Sequence, residues 1–187
     1  MIPYGRHNIS DYDVQAIVDV LKSDFLTQGP VVSKFENRLS SVVSSKYATA
    51  VNSATSALHI ACLALNIQPG DLVWTVPNTF VASANCALYC GASVDFVDID
   101  PVTANLSVDI LKQKLRSIKR SGGILPKVVI PVHLAGEPCD MAAIKQLSRE
   151  YDFKIIEDAS HAIGGKYRDN SIGSCEYSGI TVFSFHP

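Results

Sequence analysis

Short runs of β-branched and apolar residues alternate with stretches of helical periodicity along most of this chain, and that alternation limits the fold more than any other feature. The runs lie at 47–51, 72–76, 93–97, 127–132, 153–157 and 180–185, with helical stretches at 55–65, 80–90, 107–118 and 140–151. The runs have largely lost the polar alternation of a half-exposed strand, so both faces of each are expected to be buried. Such strands, separated by amphipathic helices, predict an α/β fold: a mostly parallel sheet with helices on both faces. Two more helices are expected upstream. Ser10 reads as an N-cap, with Asp11 and Asp13 in the first turn and Val14, Ile17, Val18 and Leu21 at helical spacing. Pro30 suits a first helical position, and Phe35, Leu39 and Val42 form the apolar stripe behind it. "KRSGG" at 119–123 reads as a polar turn between a helix and a strand.

Length and charge exclude several functions. At 187 residues and 47% hydrophobic content, the chain is about one domain with enough apolar side chains for a sizeable core. A net charge of -2 and a pI near 6.2 provide no basic stripe for phosphates, which argues against nucleic acid as a partner. "MIPYGRHNISDYD" turns polar too soon for a signal peptide, and no apolar run approaches the roughly 18 residues of a membrane span, so a cytoplasmic protein is expected. The cysteines, Cys62, Cys86, Cys90, Cys139 and Cys175, are odd in number and show no C-x-x-C spacing. They read as buried small hydrophobes in a reducing compartment rather than as disulfides or zinc ligands.

In a parallel sheet ligands bind outside the carboxyl ends of the strands. Three segments at such positions carry chemistry. In "VNSATSALH", 51–59, small hydroxylated residues open a helix, where free N–H groups and the helix dipole could seat a phosphate; capping by Ser53 or Thr55 is the plainer alternative. In "FKIIEDASHAIGG", 153–165, Glu157 and Asp158 follow one another at a strand end, so the pleat sends them to different environments. One of the two is a candidate for holding a cationic group, with a capping or solvated acid as the alternative. His161, nearby, reads first as a loop histidine. In "TVFSFHP", 181–187, Ser184 and His186 close a strand without the G-x-S-x-G of a hydrolase elbow.

"NSATSALH", "PNTFVASANC", "FVDIDP", "PVHLAG", "IIEDASHAIGG" and "FSFHP", in this order, resemble the DegT-type nucleotide-sugar aminotransferases, which have the type I fold of pyridoxal-phosphate enzymes. The resemblance implies pyridoxal 5'-phosphate as cofactor and gives residues roles. Asp158 matches the acid that pairs with the pyridine nitrogen, the catalytic position in this stretch. Thr55, Ser56 and Ser184 match phosphate-binding positions, Phe80 an aromatic that stacks on the cofactor ring, and His161 a position near its phenolic oxygen where related proteins often carry Gln. Tyr4, Arg6 and Thr27 match substrate-binding positions. "MIPYGR" and "VLKSDFLTQGP" further resemble the branch of the family serving pseudaminic acid biosynthesis. That branch aminates C4 of a UDP-linked 4-keto-6-deoxy-N-acetylhexosamine with glutamate as donor.

In the family, "FSFHP" is followed within about two residues by the Schiff-base lysine. None of the lysines from Lys22 to Lys166 falls in that context. The resemblance therefore implies that residues 1–187 are the N-terminal part of the large domain, with the lysine and the C-terminal small domain beyond Pro187. It also implies a homodimer with shared active sites. Two alternatives stay open: a sugar dehydratase of the same family, in which histidine replaces the lysine, and a non-catalytic chain that binds sugar nucleotide or a partner without turnover.

Overall fold

The structure, a computed structural model, describes residues 7–186. Helices α1 (Asp11–Leu21), α2 (Pro30–Val43) and α3 (Ala54–Ala64) open the chain. They are followed by β1 (Leu72–Thr75), α4 (Ala82–Tyr89), β2 (Ser93–Phe96), α5 (Val108–Ser121) and β3 (Val128–Val129). A 3-10 turn at Leu134–Gly136 leads into α6 (Met141–Tyr151) and β4 (Lys154–Asp158). The hairpin of β5 (Lys166–Tyr167) and β6 (Asn170–Ser171) and then β7 (Ile180–Val182) complete the order. The main sheet runs β2-β1-β3-β4-β7, and each neighbouring pair is parallel.

Period-two alternation divides the strand residues between two cores. Val73, Val128, Ile130 and Ile156 pack with Leu58 and Cys62 of α3 and Cys86 of α4. Their chain neighbours Trp74, Val129 and Ile155 pack with Leu111 and Leu115 of α5 and Met141 and Ile144 of α6. Helices thus cover both faces, as the buried runs predict. Each fully buried aliphatic side chain contributes about 1.5–3 kcal/mol relative to exposure. Local signals set the ends. Ser10 and Asp13 form a reciprocal capping box at the start of α1, Pro30 occupies the first turn of α2, and Gly122, at φ +71°, closes α5. The helix therefore takes in Lys119 and Arg120, part of the expected polar turn.

The structure departs from the expected elements at several places. Residues 47–51 form no strand; Tyr47 and Val51 are exposed, and the Ala50 N–H donates to Glu36 Oε1 at 2.8 Å instead of to a ladder. An apolar run becomes a strand only where a partner offers its backbone groups. The run at 127–132 keeps two strand residues, because Pro131 has no N–H to continue the ladder; the pairing resumes only as a bridge between Val132 and Asp158. β7 stops at Val182 because its one paired neighbour, β4, stops at Asp158 directly opposite. Helix α4 begins at Ala82, which leaves Phe80 outside it. The stripe of α1 exists, but Val14, Ile17 and Leu21 are exposed rather than packed. Among the described residues, no helix is long and apolar enough to cross a membrane.

Candidate active site

Parallel pairing puts the carboxyl ends of all five strands on one edge of the sheet, and Asp158 ends the central stretch of that edge. Ile155 faces the α5–α6 core and Ile156 the α3–α4 core. The pleat therefore sends Glu157 to the first side and Asp158 to the second. The hydrogen bonds agree: Asp158 meets Ser83 of α4, and Glu157 meets His133.

Asp158 is 4% exposed. Ser83 Oγ donates to its Oδ2 at 2.6 Å, and Ser160 donates to Oδ1 from Oγ at 2.7 Å and from its backbone N–H at 3.2 Å. The backbone is pinned as well. The Asp158 N–H donates to the Pro131 carbonyl, its carbonyl accepts from the His133 N–H, and the Ala159 N–H donates to the Val182 carbonyl. Among the described residues, Asp158 has no ion pair. A carboxylate offers about four lone-pair sites. Three are taken, and the one left on Oδ2 can accept from a cationic N–H.

The other expected residues lie around this carboxylate in several elements. Phe80 precedes α4 and is 74% exposed, so its ring face is available. Thr55 and Ser56 occupy the first turn of α3, which packs through Ala54, Ala57 and Leu58 on the cluster containing Ile156 and Val182. The cap itself is Ser53, whose Oγ accepts from the Ser56 N–H at 3.2 Å. Among the described residues no acceptor lies on the N–H of Ala54 or Thr55, so the helix retains donors for an anion. Ser184 lies two residues beyond Val182, the register partner of Asp158, and is partly exposed. His161 is exposed, and its Nδ1 accepts the Ala135 N–H at 3.3 Å. In a neutral ring the proton is then on Nε2, free to donate. Thr27 lies in the exposed loop between α1 and α2 and makes no hydrogen bond among the described residues, so it is not joined to this group. Tyr4 and Arg6 lie outside the described residues.

Two features escape a reading by motif. Ser83 and Thr79 sit among apolar residues of "NTFVASANCAL" and look like helix-start residues; two hydroxyls four residues apart, one just before α4 and one in its first turn, are the one available signal. The second is a buried pair. His133 Nε2 and Glu157 Oε2 are 2.8 Å apart, the Cys139 N–H donates to His133 Nδ1 at 3.2 Å, and Ser178 Oγ donates to Glu157 Oε1. Burial pushes the neighbouring Cys139 thiol up to about 12, so it is an inert core residue at neutral pH, as the cysteine pattern suggests.

Residues 7–187 match the DegT/DnrJ/EryC1/StrS aminotransferase family. The chain is 39% identical over 187 residues to a UDP-4-amino-4,6-dideoxy-N-acetyl-beta-L-altrosamine transaminase of Campylobacter jejuni, covering 100% of this chain and 48% of that protein. It superposes on the PLP form of Spr1654 from Streptococcus pneumoniae with a TM-score of 0.88 at 32% identity, covering 99% of this chain and 49% of that one. Its TM-score against Helicobacter pylori PseC, an aminotransferase involved in the biosynthesis of pseudoaminic acid, is 0.85 at 29% identity, covering 98% and 47%. The chain therefore spans about half the length of the relatives it matches.

Proposed function

The chain belongs to the DegT/DnrJ/EryC1/StrS aminotransferase family, and from that premise we propose that residues 1–187 supply the pyridoxal-phosphate-binding part of a nucleotide-sugar aminotransferase. The observation that carries the reading is Asp158: a buried carboxylate at the carboxyl edge, held by three donors, with no ion pair among the described residues and one lone pair open. The residues fit the cofactor. The unpartnered N–H groups of α3 suit a phosphate, the exposed Phe80 suits a ring face, and Asp158 suits a protonated ring nitrogen. When bound, pyridoxal phosphate supplies the electron sink for amino-group transfer.

The chain's own residues then have separate tasks. Thr55, Ser56 and Ser184 bind the phosphate with hydroxyls added to the helix terminus. Phe80 covers one ring face and excludes water from it. Asp158 holds the proton on the ring nitrogen, and His161, with its proton on Nε2, donates beside the ring. No lysine within residues 1–187 is given the covalent role. These residues form the N-terminal part of the large domain of a cytoplasmic homodimer whose active sites are shared. The substrate is a UDP-linked 4-keto-6-deoxy-N-acetylhexosamine aminated at C4 with glutamate, a choice supported by the name of the Campylobacter jejuni relative and by the likeness to PseC.

The test is direct. The protein in its complete natural length, incubated with pyridoxal phosphate, glutamate and the 4-keto sugar nucleotide, should yield the 4-amino sugar nucleotide by mass spectrometry. A dehydrated sugar instead of an aminated one would replace transamination with the dehydratase reading. Absence of any cofactor binding would overturn both.

A further inference from the structure

The geometry points to Ser83 as a positioning residue that, with Thr79 behind it, aims the carboxylate of Asp158 at its cation. The inference rests on the role proposed above for Asp158. Ser83 is fully buried in the first turn of α4, and its Oγ lies 2.6 Å from Asp158 Oδ2, 2.7 Å from Thr79 Oγ1 and 3.3 Å from the Phe80 carbonyl. A serine hydroxyl has one proton, and an ionised carboxylate has none to give. Ser83 therefore donates to Asp158 along the shortest contact, and Thr79 must donate to Ser83. The direction of the chain, Thr79 to Ser83 to Asp158, follows from this count of protons, and each bond polarises the next.

A buried hydroxyl needs a partner. Ser83 could satisfy that need locally, on the Phe80 carbonyl three residues back, without reference to Asp158 at all. That contact is the longest of the three. The other hydroxyl on Asp158, from Ser160, is only two residues away and moves with it. Ser83 comes from another element, 75 residues distant in sequence, so it ties the carboxylate to α4. Thr79 and Ser83 also bracket Phe80. The segment that presents the exposed ring is thereby the segment that holds the acid, so the stacking plane and the partner of the ring nitrogen are set relative to each other.

The prediction is read as a ratio. Affinities of the complete-length protein for pyridoxamine phosphate and for its analogue with CH in place of the ring nitrogen are measured by equilibrium dialysis. The parent should prefer pyridoxamine phosphate. Ser83→Ala should reduce that preference by about tenfold, the factor expected for one charge-assisted hydrogen bond, and leave affinity for the analogue unchanged. Thr79→Val should reduce it in the same direction and Thr79→Ser should preserve it, which decides the matter if Ser83→Ala does not fold. A parent with no preference would overturn the role of Asp158 and this inference with it. A preference lost in Asp158→Asn but retained in Ser83→Ala and Thr79→Val would overturn the inference alone. Equal loss of affinity for both compounds in Ser83→Ala would make Ser83 merely structural and also overturn it.

Discussion

His133 and Glu157 meet 2.8 Å apart, Nε2 to Oε2, with side chains no more than 6% exposed, on the side of β4 away from Asp158. Because the Cys139 N–H donates to Nδ1, the ring proton sits on Nε2 and is directed at the carboxylate. Glu157 also accepts from Ser178 Oγ and, at 3.4 Å, from Thr181 Oγ1 of β7. The carboxylate thus joins the turn after β3 to the strand that leads to Ser184. Replacing His133 by Leu removes one of these donors from a buried charge. We expect a loss of about 3 kcal/mol in urea unfolding; a loss below about 1 kcal/mol would mean that the pair contributes little to the fold.

Asp158→Asn is expected to leave the fold intact, since its amide oxygen, placed where Oδ1 is, can still accept from Ser160, and its NH2, placed where Oδ2 is, can donate to Ser83 Oγ, whose own proton turns to the Phe80 carbonyl. The neutral amide cannot stabilise a protonated ring nitrogen. In the complete-length protein, cofactor should still bind while amino transfer falls by about 10²-fold or more. Turnover near that of the parent would remove Asp158 from the catalytic role.

Thr55→Ala and Ser184→Ala test the phosphate seat. Each deletes one hydroxyl that can donate to a charged group, worth about 1.5–3 kcal/mol, or roughly tenfold or more in cofactor affinity. Unchanged affinity in both would move the phosphate elsewhere and leave Thr55 and Ser184 as ordinary residues of a helix start and a strand end.

Much of this site is legible in the sequence because it depends on parity and on position along strands. The lost polar alternation of most of the runs predicts the parallel sheet, and the adjacency of Glu157 and Asp158 at a strand end predicts that they part company. What the sequence conceals is partnership. The run at 47–51 carries the composition of a strand, yet its fate depends on whether a neighbour is there to pair with it. Ser83 is similar: a small hydroxyl in an apolar helix start has no meaning until the fold brings Asp158 to 2.6 Å from it. His133 likewise becomes a partner of Glu157 only through the parallel register of β3 and β4.

Gly136 lies close against the backbone of His161. It sits at φ +88°, and a Cβ built there would stand 3.0 Å from the His161 carbonyl oxygen. Gly136→Ala would therefore meet both a left-handed backbone and a backbone atom with little room to move. A cost of about 1–2 kcal/mol is expected from the conformation alone, with a changed chemical shift for the His161 ring as the turn is displaced. Parent-like stability and an unmoved His161 signal would show that the 3-10 turn adapts without disturbing the site.

Lys127 Nζ lies 2.7 Å from Asp71 Oδ2, which also accepts the Gln68 N–H at 2.9 Å. The hydrogen bond from Lys127 holds the Asp71 carboxyl below its ordinary value of 3.8, with the Gln68 N–H adding to the effect. A carboxyl whose pKa is lower in the folded state contributes stability that is fully present above the unfolded value and is lost as pH falls through the folded one. Asp71→Asn should therefore be less stable than the parent at pH 6, by about 0.5 kcal/mol for a pair as exposed as this. The gap should close as the pH is taken below 3.8, and it should narrow at 1 M salt, where the attraction is screened. Thermal unfolding of the two proteins from pH 6 down to pH 2 measures it as a difference, so that other acids titrating in the same window cancel. A gap that persists unchanged at pH 2 would assign the effect to lost packing or to the Gln68 contact, and not to the charge on Asp71.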